Sequence, residues 1–269
     1  MILKFFKNRY NNYPVLFLHG LAGGLKDWQK TINKISNIHY EMRFFDREKI
    51  YHNYFGDNEE KRFWNVSYYS MNGLDDSIYG NLNIFALRLK NMIDKILFIT
   101  KQNKVVIIAH SMGGLIAKRY MVINKDCWDS VYKLLTVATP HKGFGISFGI
   151  IQQLRDLKWN SCFISKLDEK WNEFFNREKD KKWGVVGAID TKAGYSIYND
   201  PNATDSGGIG YVEISSAIPY DEWKDSIGDN IEKESYNTEN FGFRIAVKAN
   251  HTTVLLNEGV FKGIAWAMR

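Results

Sequence analysis

Apolar residues fall along this chain in short dense blocks, with longer stretches of three-and-four spacing between them. The blocks are 14–18 (PVLFL), 66–69 (VSYY), 105–109 (VVIIA), 134–138 (LLTVA), 185–189 (VVGAI) and 243–247 (FRIAV). They are rich in β-branched and aromatic residues and none alternates cleanly with polar ones, as expected of parallel strands covered on both faces. Leu82, Phe85, Ala86, Leu89, Ile93, Ile96 and Leu97 instead form one stripe on a helix. Strands alternating with helices predict βαβ units: an α/β fold with a mostly parallel sheet flanked by helices. A chain of 269 residues with four prolines, no internal repeat and no low-complexity tract reads as one domain over 1–269.

The alternation breaks at 142–183, where about forty residues separate two strand candidates. Phe163, Leu167, Trp171 and Phe174 line one helical face there. This insert is expected to be helical, either as a fixed layer of the core or as a cap or lid over a site.

Composition narrows the function classes. The net charge of +6 comes from Lys and Arg scattered among Asp and Glu, which reads as a solvated surface and not as a nucleic-acid groove. Cys127 and Cys162 stand alone, with no zinc-ligand spacing, so neither a disulfide framework nor a metal is indicated, and no cofactor motif is present. No apolar run is long enough to span a membrane, and the interrupted opening MILKFFKNRYNNY is not a secretory signal. A cytoplasmic location is the expectation.

The chemistry concentrates in KVVIIAHSMGGLIAKRY, 104–120, where a strand candidate runs into a helix candidate through Ser111. A serine hydroxyl becomes a nucleophile only when a base takes its proton and donors stabilise the oxyanion that follows. A tight strand-to-helix turn lifts the side chain clear of the sheet and aims the N–H of the next residue, Met112, at that charge. Close approach of strand and helix requires small residues two before and two after the serine, and these are Ala109 and Gly113. The pattern is G-x-S-x-G with alanine in the first position.

With PVLFLHGLAGG (14–24) and LLTVATPHKGFG (134–145), this stretch resembles the α/β-hydrolase superfamily, in its bacterial lipase and esterase branch. The resemblance implies that Leu21 and Met112 supply the oxyanion hole, that His19 organises its loop, and that His141 holds a turn near the site. It also implies the chain order serine, acid, histidine. His39 and His52 precede Ser111, and His19, His110 and His141 occupy motif positions; His251, in KANHTTVLLNEGVFKGI, is left as the base. The acid falls in ATDSGGIGYVEISSA, 203–217, as Asp205, with Asp200 and Asp190 as rivals because the spacing departs from the family's pattern. The implied activity is hydrolysis of lipid or small acyl esters through an acyl-enzyme, with contact to a lipid surface a further expectation. A thioesterase or phospholipid deacylase would use the same residues, and a silent binding protein would lack one of them.

Overall fold

The computed structural model describes residues 10–45, 49–54, 62–70, 76, 80–145, 151–178, 181–193, 200–206 and 211–269. Nine strands form a single sheet: β1 (Val15–Leu18), β2 (Tyr40–Phe44), β3 (Ile50–His52), β4 (Phe63–Ser70), β5 (Val105–His110), β6 (Val131–Val137), β7 (Trp183–Ile189), β8 (Ser235–Tyr236) and β9 (Phe243–Lys248). Their order is β3-β2-β4-β1-β5-β6-β7-β9-β8. The seven inner strands are parallel, and only the edge strands β3 and β8 run antiparallel. The helices are α1 (Leu25–Asn33), α2 (Leu82–Thr100), α3 (Met112–Met121), α4 (Lys125–Asp129), α5 (Gln152–Leu157), α6 (Cys162–Glu178), α7 (Ile214–Ala217) and α8 (Glu258–Met268). This is an α/β-hydrolase fold.

All six predicted strands and the predicted α2 are present. β5 and β7 are buried along their whole length, which is why neither alternates in sequence. Two apolar clusters cover the two faces of the sheet, one under α2, α3 and α6, the other under α1 and α8. The strands missed in the sequence, β2, β3 and β8, lie at the sheet's margins. β2 alternates buried and half-buried positions over only five residues, and β3 and β8 are shorter still.

The register positions the site. Leu18 pairs with Ala109 and His110 with Val137, so the segments leaving β1, β5 and β6 emerge side by side. Ile189 pairs with Lys248, which brings the segments after β7 and β9 together at the same end of the sheet. Ligands bind in α/β sheets at these carboxyl ends.

Within the 142–183 insert, residues 146–150 and 179–180 lie outside the described residues. α6 is part of the core: Phe163, Leu167 and Trp171 are buried, Phe174 is half-buried, and the Trp171 ring packs 5.1 Å from both Trp128 and Trp183. Lys118 of α3 lies over Trp171 and Trp183 and 3.6 Å from Asp168 of α6, tying the two helices together. The apolar stripe of α6 therefore covers α3 and the sheet, while Phe144 and Leu157 from the start of the insert reach the serine cleft. Both cysteines are free, Cys127 buried and Cys162 exposed. No helix among the described residues is long and apolar enough to cross a membrane.

Candidate functional site

Ser111 joins β5 to α3 with φ 54° and ψ −129°, a conformation that side-chain-bearing residues rarely adopt. It is held by hydrogen bonds from its own N–H to the Val137 carbonyl (2.9 Å) and from the Gly114 N–H to its carbonyl (3.0 Å). The turn needs space on one side. A Cβ on Gly113 would lie 2.4 Å from the His19 carbonyl oxygen, and one on Gly20 would lie 2.9 Å from the Ser111 Cβ. The loop after β1 thus runs directly against the serine. Met112 opens α3, so its N–H has no helical acceptor, and Leu21 follows Gly20 on the adjoining loop and lines the same cleft.

His251 follows β9, and its Nε2 is 2.9 Å from the Ser111 Oγ. Its Nδ1 is 2.5 Å from Asp205 Oδ2. Since a carboxylate oxygen only accepts, Nδ1 carries the proton and Nε2 is free to take the one on serine. The Val212 N–H donates to the other Asp205 oxygen at 3.0 Å. Burial pushes the Asp205 carboxyl up, and the His251 and Val212 hydrogen bonds oppose that shift. Of the three acids named from sequence, Asp205 is the one against His251. Asp190 accepts from the Ser206 hydroxyl, and Asp200 accepts from the Asn202 N–H within its own turn. Asp190 still braces the site at one remove, because the Ser206 carbonyl accepts the His251 N–H at 3.0 Å. Residues 207–210, between Ser206 and Tyr211, lie outside the described residues.

Three of the other histidines, His19, His110 and His141, are buried supports. His19 Nδ1–H donates to the Gly20 carbonyl (2.9 Å), Nε2 pairs with the Ser67 hydroxyl (3.2 Å), and the ring stacks on Tyr68 at 4.1 Å. His110 Nε2–H donates to the His251 carbonyl at 2.9 Å, a clamp on the base loop that sequence reasoning missed. His141 pairs with Thr136 at 3.0 Å and packs edge-on to Trp183. Burial lowers His19 to about 4 and drives His110 and His141 well below the ordinary value.

This has a consequence for acid stability. The unfolded chain binds these protons near the ordinary imidazole value of 6.5 while the folded chain refuses them until about pH 4 at His19, so unfolding takes up protons between those values. Stability is therefore complete above 6.5 and falls as the pH drops through that window. At pH 5 His19 alone removes about 2 kcal/mol, and His110 and His141 act in the same direction. Through these imidazoles the melting temperature at pH 5 should lie roughly 4 °C below that at pH 7.5; a constant value would contradict the burial of neutral imidazoles.

The serine sits in a cleft of about 520 Å³. Phe144, Leu157 and Val212 are apolar residues of its lining, to which α1 adds Lys26, Asp27 and Lys30. Neither lysine was singled out in the sequence, although their four-residue spacing directly after the glycine loop was the available signal.

A family model described as the PGAP1-like alpha/beta domain matches residues 9–203. The chain belongs to that family. Among the relatives of this PGAP1-like domain is a GPI inositol-deacylase of Kluyveromyces lactis, 25% identical over 164 residues, which are 58% of this chain and 16% of that protein. The PGAP1-like domain thus matches a minor part of a much longer relative. Two solved structures are similar in fold. The lin2722 product of Listeria innocua has a TM-score of 0.60 at 12% identity, covering 96% of this chain and 94% of that one. The mature lipase BlEst2 of Bacillus licheniformis has a TM-score of 0.55 at 14% identity, with 94% and 91% covered.

Proposed function

We propose that this PGAP1-like domain is a serine carboxylic-ester hydrolase that removes acyl groups from lipid or small acyl esters. The observation that carries this reading is the relay from Ser111 Oγ through the His251 ring to Asp205, with separations of 2.9 and 2.5 Å. His251 takes the Ser111 proton as Oγ attacks the ester carbonyl. The oxyanion that forms accepts from the N–H groups of Leu21 and Met112. His251 then gives its proton to the leaving alcohol, and Ser111 is left acylated. Water, deprotonated by the same ring, releases the acid and restores the hydroxyl.

The apolar lining residues Phe144, Leu157 and Val212 suit an acyl chain. The name of the Kluyveromyces lactis relative, a GPI inositol-deacylase, supports a deacylase form of the same reaction.

The test is a nitrophenyl ester series of increasing acyl length, combined with an alkyl fluorophosphonate probe. Turnover should vary with chain length, and the phosphonate should stop it by adding to Ser111 as located by peptide mass. Inert esters together with an unlabelled Ser111, in folded protein, would remove the reading.

A further inference from the structure

The loop after β1 reads His19-Gly20-Leu21-Ala22-Gly23-Gly24, and its glycines give it little stiffness of its own, so contacts must hold it. The Gly20–Leu21 peptide is held through its carbonyl, which accepts from His19 Nδ1–H at 2.9 Å and from the Gly23 N–H at 3.2 Å. A trans peptide is planar, so these bonds turn the Leu21 N–H away from them. The next peptide, Leu21–Ala22, is held through its N–H, which donates to the Tyr69 hydroxyl at 3.3 Å. Ala22 has φ 54°, a conformation that side-chain-bearing residues rarely adopt, so this part of the loop relaxes wherever that bond is lost.

Tyr69 is itself fixed. Its hydroxyl donates to Gln153 Oε1 at 2.7 Å, and Gln153, buried in α5, donates from Nε2 to the Asp76 carbonyl. Its ring packs against His19 and Phe85, with ring centres 4.9 and 5.2 Å away. Burial raises the hydroxyl above its ordinary value, which keeps it protonated and donating. α5 also carries Leu157, four residues after Gln153 and so on the same face, and Leu157 lines the serine cleft. Tyr69 is not among the residues lining that cleft.

We propose that Tyr69 is a positioning residue for the oxyanion hole: its hydroxyl ties the Leu21–Ala22 peptide to Gln153 of the insert and so holds the Leu21 N–H where the oxyanion forms. This rests on the reading of Ser111 as the nucleophile and Leu21 as a donor. Tyr69 touches no reacting atom, so removing its hydroxyl leaves Ser111, His251 and Asp205 in place and misaims one donor. Outright loss of an oxyanion donor costs about 10²–10³ in kcat, and a misaimed one costs less. Water can satisfy the freed Ala22 N–H, but it does not fix the loop.

The experiment uses nitrophenyl butyrate and an alkyl trifluoromethyl ketone, whose carbonyl adds the Ser111 Oγ and places its oxygen in the hole. Tyr69→Phe should lower kcat roughly tenfold with KM within about twofold, and should weaken inhibition by the ketone by a similar factor. Gln153→Leu keeps the phenol but removes its anchor and should reproduce part of both losses. The double variant should lose no more than Tyr69→Phe alone, because the two residues act through one chain of bonds. Tyr120→Phe, which removes a buried hydroxyl bonded to Ser130, controls for lost stability and should match wild type in both assays. Amide hydrogen exchange over residues 20–24 reads the hold without turnover and should be faster in Tyr69→Phe and Gln153→Leu only. Unchanged kcat and ketone inhibition in Tyr69→Phe, a loss that falls on KM alone, or unaltered exchange overturns the proposal. If Tyr69→Phe does not fold, Gln153→Leu decides in the same assays. Failure of the hydrolase reading looks different: no form turns over the ester or binds the ketone, while the exchange still decides whether Tyr69 holds the loop.

Discussion

Ser111→Ala is expected to lower ester turnover by on the order of 10⁶-fold while the protein stays folded. The loss is large because a single atom carries the covalent step: without Oγ, His251 has no proton to take and no acyl-enzyme forms. The fold should tolerate the change because the turn is built from backbone. The Ser111 N–H and carbonyl bonds, to Val137 and Gly114, do not involve the side chain. Alanine also keeps the Cβ that already fits against Gly20. Wild type and variant should give the same circular dichroism and closely similar melting temperatures, and only the rate should differ. Activity within tenfold of wild type would mean that another group is the nucleophile.

Asp205→Asn should cost about 10⁴-fold in kcat. The Val212 N–H donates to Asp205 Oδ1 while Oδ2 faces His251. In the variant the amide oxygen is claimed by the Val212 N–H, which turns the amide NH₂ towards His251 Nδ1. Nδ1 must then accept, so the ring proton moves to Nε2, where it faces Ser111 and blocks proton transfer from the hydroxyl. Asp190→Asn should have a much smaller effect, because Asp190 bonds Ser206 and reaches His251 only through that residue's backbone. Asp200→Asn, which alters a local turn contact, should have less effect again. A larger loss at Asp190 or Asp200 than at Asp205 would reassign the acid.

Much of the site could be read in the sequence because much of it is local. The serine turn must be made by contiguous residues, and its need for small neighbours leaves a mark at Ala109 and Gly113 that no distant contact can supply. His251 was reached by exclusion, since the remaining histidines had other positions to fill. The acid could not be reached that way. Asp205 is 46 residues before His251, and it is the folding of the loop after β7 that selects it, with the Asp190 N–H donating to the Thr204 carbonyl and the Asp190 carboxylate taken by Ser206.

The sequence by itself determined the fold class, the six buried strands it predicts, α2, and the serine turn, because burial on both faces and helical periodicity are written into consecutive residues. The short strands β2, β3 and β8 were beyond it: a strand at a sheet's margin buries little and carries little apolar signal. Only the tertiary structure decided which carboxylate meets His251, that the stripe of α6 covers α3 and the sheet, and that Lys26 and Lys30 share a cleft with Ser111. Each of these depends on which distant segments the parallel strands bring to one end of the sheet, and that is set by packing between elements and not within any one of them.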